Sequence, residues 1–258
     1  MILKRISIIF WNVMQLVFKA NIWSTIYFNF KVLPFNQAIK FPFHFYGKTD
    51  FANLTGKFEI QSKEIHFGMI VFGGKHEVVI SSNVPTRIYN SGTIIFQSNA
   101  LFARGINLMV WKNGTLKFGN HFSVGSLSNI ICFRKITFGN NVLISWECQF
   151  FDTDFHFIVQ DENTVKDNCG EVIIEDDTWI GARATILKNT TLAKKTIVGA
   201  NSVCSGNYKE KHVAGNLIAG VPAKLIKGEV AYLTNKKQEL ELFDYFSQHQ
   251  NQEIHWNH

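Results

Sequence analysis

A parallel β-helix, a prism built from short strands and tight corners, is the fold that this sequence predicts. Three observations predict it. An aliphatic residue recurs every six positions between residues 174 and 198, and a small residue stands four places after each. The 258-residue chain is also 46% apolar and only 18% charged, so it can fill a large core. Neither a helix nor an amphipathic strand repeats at six, because their side chains return every 3.6 and 2 residues. One flat strand plus one corner does. Three such units close a triangular coil, and stacked coils pair in parallel around a column of aliphatic side chains.

Residues 1–50 read as an apolar leader. Lys4 and Arg5 precede an apolar run from Ile6 to Phe18, which Lys19 closes. No small-residue cleavage site follows it. The run is shorter than the roughly 20 apolar residues that a membrane-spanning helix needs. An amphipathic helix fits, lying either on a membrane or on the body of the protein.

Residues 51–228 read as the β-helix. From Phe51 to Trp111, pieces such as Glu77–Ile80 and Thr93–Phe96 suggest irregular early coils. Phe118, Val124 and Ile130 then keep the beat, with Phe122, Ser128 and Arg134 in the fifth positions. Phe138, Ile144 and Phe150 resume it two residues out of phase, followed by Val142, Cys148 and Asp154. The regular units begin at Ile174, Ile180, Ile186, Leu192 and Val198, with Thr178, Ala184, Thr190, Thr196 and Ser202 in the small slots.

The beat breaks after Phe150. In the register of Phe150, Asp154 and His156 would both point into an apolar interior, which an unpaired carboxylate does not tolerate. The chain is therefore expected to leave the coil near residue 152 and return near Glu171, with 157–170 as a projecting loop. Loops on rigid scaffolds are where sites are commonly built. His156, beside Asp152 and Asp154, is a candidate general base. An ordinary exposed loop histidine is the bland reading. Residues 229–258 read as a helix over Gln238–Gln248, carrying Leu240, Leu242, Phe243 and Phe246, and then a tail.

Composition excludes several classes. The basic surplus is modest and the Lys and Arg residues are spread along the chain, with no dense basic stripe and no nucleic-acid motif, so no nucleic-acid partner is expected. The surplus suits anionic lipid or a phosphorylated ligand. Cys132, Cys148, Cys169 and Cys204 lie far apart, which supports neither a zinc nor a redox motif. They read as reduced thiols of a cytosolic protein, mostly small buried hydrophobes.

Five segments together carry a resemblance: Phe138-Gly-Asn-Asn-Val-Leu-Ile-Ser-Trp146, Asp152-Thr-Asp-Phe-His156, Trp179-Ile-Gly-Ala-Arg-Ala-Thr-Ile186, Val198-Gly-Ala-Asn-Ser-Val203 and Ile218-Ala-Gly-Val-Pro-Ala-Lys-Leu-Ile226. In order and spacing they resemble the hexapeptide-repeat, left-handed β-helix acyltransferases, over about residues 118–228. The likeness is to the sugar O-acetyltransferase branch, which includes maltose, galactoside and surface-polysaccharide enzymes. The resemblance implies acetyl-CoA as donor, no required metal, a sugar or glycan acceptor and a homotrimer. It makes His156 the base and the Ala182 N–H the oxyanion donor. Trp179 and Trp146 would wall the acceptor site. Asp154 or Asp152 would orient His156 or contact the sugar. For CoA it points to Gly181, Ala200, Ser205, Lys224 and Lys227, although solvated lysines are an equal reading of the last two.

Two departures from the family pattern stand out. Gly206 occupies a position where a lysine is common, and the connector Asn207–Gly215 is long and charged. The aromatic leader, with Leu33-Pro34-Phe35 and Phe41-Pro-Phe43, is closer to the polysaccharide-locus enzymes. It suggests a cytoplasmic protein peripheral to the inner membrane. Two alternatives remain: N-acetyl transfer to an amino-sugar nucleotide, and a non-catalytic β-helix scaffold.

Overall fold

The computed structural model describes residues 20–76, 82–160, 163–209, 214–250 and 253–254. The expected leader helix Ile6–Phe18, the strand-like piece Glu77–Ile80 and the terminal residues 255–258 lie outside the described residues.

The chain forms a left-handed parallel β-helix with three faces. The first face stacks β1 (Phe43–Phe45), β4 (Ile70–Phe72), β7 (Ala100–Phe102), β10 (Phe122–Val124), β13 (Leu143–Ile144), β18 (Trp179–Ile180), β21 (Ile197–Val198) and β23 (Leu217–Gly220). The second stacks β2 (Thr49–Leu54), β5 (Thr86–Asn90), β8 (Asn107–Val110), β11 (Asn129–Cys132), β14 (Gln149–Phe151), β19 (Thr185–Ile186) and β22 (Val203–Cys204). The third stacks β3 (Lys57–Ile60), β6 (Thr93–Phe96), β9 (Thr115–Phe118), β12 (Lys135–Phe138), β17 (Val172–Ile174) and β20 (Thr191–Leu192). A short antiparallel strand, β24 (Ala223–Lys227), closes the far end against β23.

In the upper coils the six-residue unit holds as expected. Trp179 pairs with Ile197 and Thr185 with Val203, each 18 positions on, which is three units per turn. Ile180, Ile186, Leu192, Val198 and Cys204 are buried, as are Ala184, Thr190, Thr196 and Ser202. The buried hydroxyls are satisfied locally: Thr190 Oγ1 donates to the Cys204 carbonyl at 3.1 Å and Thr196 Oγ1 to the Ala193 carbonyl at 2.7 Å. Each corner turns on a residue with positive φ, at Asp177, Arg183, Asn189, Lys195 and Asn201, between 57° and 61°. That left-handed conformation disfavours most side chains. Stacking of the coils holds it.

The lower coils are wider. Thr93 pairs with Thr115 and Thr115 with Lys135, so successive turns take 22 and 20 residues. The extra residues lengthen strands and corners, and Phe fills the added volume. Phe45, Phe72 and Phe102 stack at 5.1 and 4.4 Å, and Phe96, Phe118 and Phe138 at 5.2 and 5.5 Å. The β-helix therefore starts at Phe43, inside the span expected to be leader. The reason is that Phe43 and Phe45 alternate inward and join the aromatic column.

Helix α1 (Ile22–Val32) and the short α2 (Phe35–Ala38) cap this lower end. The free edge of β1 would expose unpaired backbone groups. Buried Asn29 covers them: its Nδ2 donates to the Phe43 carbonyl at 2.7 Å and its Oδ1 accepts the Phe43 N–H at 3.1 Å. Phe28 packs against Phe43, Phe45, Phe51 and Phe58. At the other terminus α3 (Lys236–Gln248) starts at Asn235, whose side chain accepts from the Lys237 and Gln238 N–H groups. It matches the helix expected there. Ahead of it, Tyr232 returns along the first face, donating to the Asn141 carbonyl at 2.8 Å.

Candidate functional site

The chain leaves the prism after β14 and re-enters at β17, within a residue or two of the expected points. The neck of the loop is tied by an antiparallel bridge between Thr153 and Cys169, and by the Asp154 N–H donating to the Asn168 carbonyl at 2.8 Å. The loop is not wholly irregular: β15 (Val159–Gln160) and β16 (Thr164–Val165) form a small hairpin within 157–170. Arg134 clamps it from the coil, donating to Asp167 at 2.6 Å and to the Cys169 carbonyl at 3.1 Å. The Cys169 N–H and the Arg134 guanidinium hold the Asp167 carboxyl below its ordinary pKa.

His156 sits at the root of this loop, exposed, with its own N–H on the Asp154 carbonyl at 2.7 Å. It lines a depression of about 190 Å³ with Asp154, Ile158, Lys166, Asp167, Asn168 and Lys188. Lys188, which sequence reasoning missed, pairs with the Asp154 carboxylate at 2.5 Å. Asp154 was expected to orient the imidazole or touch the sugar. Instead its carboxylate is engaged by Lys188, and it fixes the loop to the coil above.

Asp152 departs further from expectation. It was read as an acceptor contact, yet it is fully buried. Its two oxygens accept the N–H groups of Phe133, Arg134 and Lys135, each at 2.7 Å. These three donors line the widened corner between β11 and β12. That corner is where the two-residue phase slip between Ile130 and Phe138 falls. A carboxylate inside a cluster of converging N–H groups is a stable arrangement, so Asp152 braces the scaffold beneath the loop. Burial and the neighbouring Asp152 charge push the Cys132 thiol well up. Burial pushes Cys148 and Cys204 up to about 12, which makes them inert packing groups.

The other expected site residues fall in three further places. Trp146, Ala182 and Ala200 stack in one column at the corner between the first and second faces: the Arg183 N–H donates to the Trp146 carbonyl and the Asn201 N–H to that of Ala182. Gly181 lies in the same corner. An added Cβ there would meet the Ala200 nitrogen and the Val198 carbonyl, both at 2.7 Å. The glycine therefore admits the next coil. We expect Gly181→Ala to cost about 1–3 kcal/mol of stability through backbone overpacking, readable as a lowered denaturation midpoint.

Trp179 lies on the first face, its Nε1 donating to Ser145 Oγ at 3.4 Å and its ring 6.1 Å from that of Tyr232. Lys224 and Lys227 are exposed on β24, and Ser205 is exposed at the corner after β22. Gly206 has φ of 110°, which a lysine would adopt only under strain, so the backbone accounts for that departure. Residues 210–213 of the long connector lie outside the described residues. Among the described residues, no cluster of three or more His, Cys, Asp or Glu side chains is arranged to hold a metal.

A parallel β-helical prism with a histidine-bearing loop at one corner is the architecture of a hexapeptide acyltransferase. Over 156 residues the chain is 31% identical to WbbJ of Escherichia coli (strain K12), named for O-acetyl transfer in lipopolysaccharide biosynthesis. That match covers 55% of this chain and 76% of WbbJ. A 24.8 kDa protein of the cps region of Klebsiella pneumoniae is 28% identical over 153 residues, covering 59% of this chain and 66% of its own. Among solved structures, the polySia specific acetyltransferase NeuO aligns with a TM-score of 0.47 at 18% identity, over 84% of this chain and 91% of NeuO. No family model matches the chain. The chain belongs to the hexapeptide-repeat acetyltransferases, in the sugar O-acetyltransferase branch that includes WbbJ.

Proposed function

We propose that this protein transfers an acetyl group from acetyl-CoA to a hydroxyl of a bacterial surface glycan or its precursor, such as a capsule, O-antigen or exopolysaccharide chain, in the cytoplasm. The observation that carries the reading is His156, exposed at the clamped root of the long excursion between β14 and β17. An imidazole so placed can take the proton of an acceptor hydroxyl, a role worth about 10²–10⁴-fold in rate. Acetyl-CoA would supply an acetyl group already activated as a thioester, so the proposed reaction calls on no metal. The Ala182 N–H is assigned to the developing oxyanion, since among the described residues it donates to no acceptor. Ala200, Ser205, Lys224 and Lys227 are assigned to the donor, with Gly181 shaping the corner beside Ala200. Trp146 and Trp179 are assigned to the acceptor.

The placement of these groups favours a homotrimer. His156 projects from the corner between the second and third faces, whereas Ala182 and Ala200 line the corner between the first and second. A neighbouring prism would bring the two corners together. Phe157, Ile158 and Val165 are exposed on the loop and would be covered by that neighbour.

The test is an acceptor screen with labelled acetyl-CoA and purified chain. Ester products, released by mild base, support the proposal. Base-stable amides would assign the chain to N-acetyl transfer. Failure to bind CoA in calorimetry would overturn both and leave the scaffold reading.

A further inference from the structure

The capping end of the prism carries a surface that the acetyl-transfer reading does not use. On α1, Phe28 and Asn29 point into the prism, while Trp23, Ile26, Tyr27 and Phe30 form one exposed stripe at helical spacing. Phe35 and Ile39 extend it across α2, with Phe35 in ring contact with Phe30 at 6.1 Å. Trp23 is 83% exposed and Phe35 72%. A contiguous patch with this aromatic content is not scattered surface apolarity. It also lies at the end of the β-helix, where it can meet a plane without hindrance from the walls.

Charge identifies the occupant. Lys4, Arg5, Lys19, Lys31, Lys40 and Lys48 are the only charged residues before Asp50. The remaining 20 basic residues are matched by all 20 acidic ones, so the entire +6 excess resides in the first 49 positions. Lys31 closes α1 and Lys40 follows α2, both beside the aromatic patch. Apolar and aromatic groups flanked in the chain by Lys31 and Lys40, within a stretch of 49 residues that holds no Asp or Glu, complement an anionic bilayer surface. Among the described residues, no helix is long and apolar enough to cross a membrane. The contact is therefore interfacial.

We propose that the α1–α2 cap docks the prism end-on onto an anionic lipid bilayer, with Trp23, Ile26, Tyr27, Phe30, Phe35 and Ile39 entering the interface and Lys31 and Lys40 at the headgroups. The inference does not depend on the acetyl-transfer reading, because binding is measured without acceptor or acetyl-CoA. The experiment is co-sedimentation of the full chain with phosphatidylcholine vesicles, with and without phosphatidylglycerol. The wild type is expected to bind only the anionic vesicles. A Trp23→Glu, Phe35→Glu double variant should lose at least about tenfold in partitioning, and Lys31→Glu, Lys40→Glu about 25-fold or more, at roughly fivefold per basic group. Unchanged circular dichroism melts would show that these variants fold. Wild-type protein left in the supernatant overturns the proposal. So does undiminished binding by the variants, which would place the contact in residues 1–19 alone. Lipid-free self-association abolished by Trp23→Glu would also overturn it, making a second copy the occupant.

Discussion

His156→Ala is expected to lower acetyl transfer by about 10²–10⁴-fold while leaving the thermal unfolding midpoint where it was. The first number is the ordinary worth of a positioned general base. The second follows from exposure: the ring projects from a loop whose clamps are made by other groups, namely the Thr153–Cys169 bridge and the Arg134–Asp167 pair. Loss of activity should appear in kcat more than in the KM for acetyl-CoA, because the base acts on the acceptor proton. Equal activity in the variant would remove His156 from the mechanism. Lys188→Ala offers a contrast, since it frees Asp154 without removing the base, and it should give a much smaller loss.

Asp152→Asn should do the reverse. It keeps the side-chain shape but leaves one oxygen and an amide facing three N–H donors at a buried corner. One or two of the three donors would lose their acceptor, and unpaired buried donors cost about 1–3 kcal/mol each, so a loss of about 1–6 kcal/mol is expected, or a Tm lower by roughly 2–4 °C for each kcal/mol. Thermal and denaturant melts measure it directly. An acceptor-binding Asp152 would instead raise the KM for the glycan and leave the melt unchanged. That result would restore the reading the structure overturns.

The two ends of the β-helix differ in how far the sequence disclosed them. From Ile174 to Cys204 each coil has three identical beats, so the period, the inward residues and the small slots are all readable. Below Phe138 the coils take 20 and 22 residues, and both Leu116 and Phe118 of one strand point inward, which blurs a six-residue count. The starting point at Phe43 was hidden because its pairing partners lie near Ile70. The left-handed corners gave little local warning. Arg183 and Lys195 stand in them with nearly the same φ as Asn189 and Asn201, and only their recurrence three places after each inward aliphatic marks them. At the site, the broken beat located His156, because a carboxylate and an imidazole do not fit an apolar column. The partners of Asp152 and Asp154 were not readable. They come from coils below and above, and only stacking brings Phe133 or Lys188 into reach.

The stacking of β2, β5, β8, β11 and β14 has a metrical consequence. Neighbouring strands sit about 4.8 Å apart, so the strand that launches the His156 loop stands about 19 Å up the axis from the first coil. If the cap rests on lipid as proposed, the prism acts as a ruler. A glycan anchored in the same bilayer would then present to the imidazole a sugar several units out from its lipid end, and the units nearer the membrane would pass unmodified. A variant shortened by one lower coil should shift the modified position toward the lipid, as mass spectrometry of the product chain would reveal. The tally of wide phenylalanine coils would then set an address along the polymer.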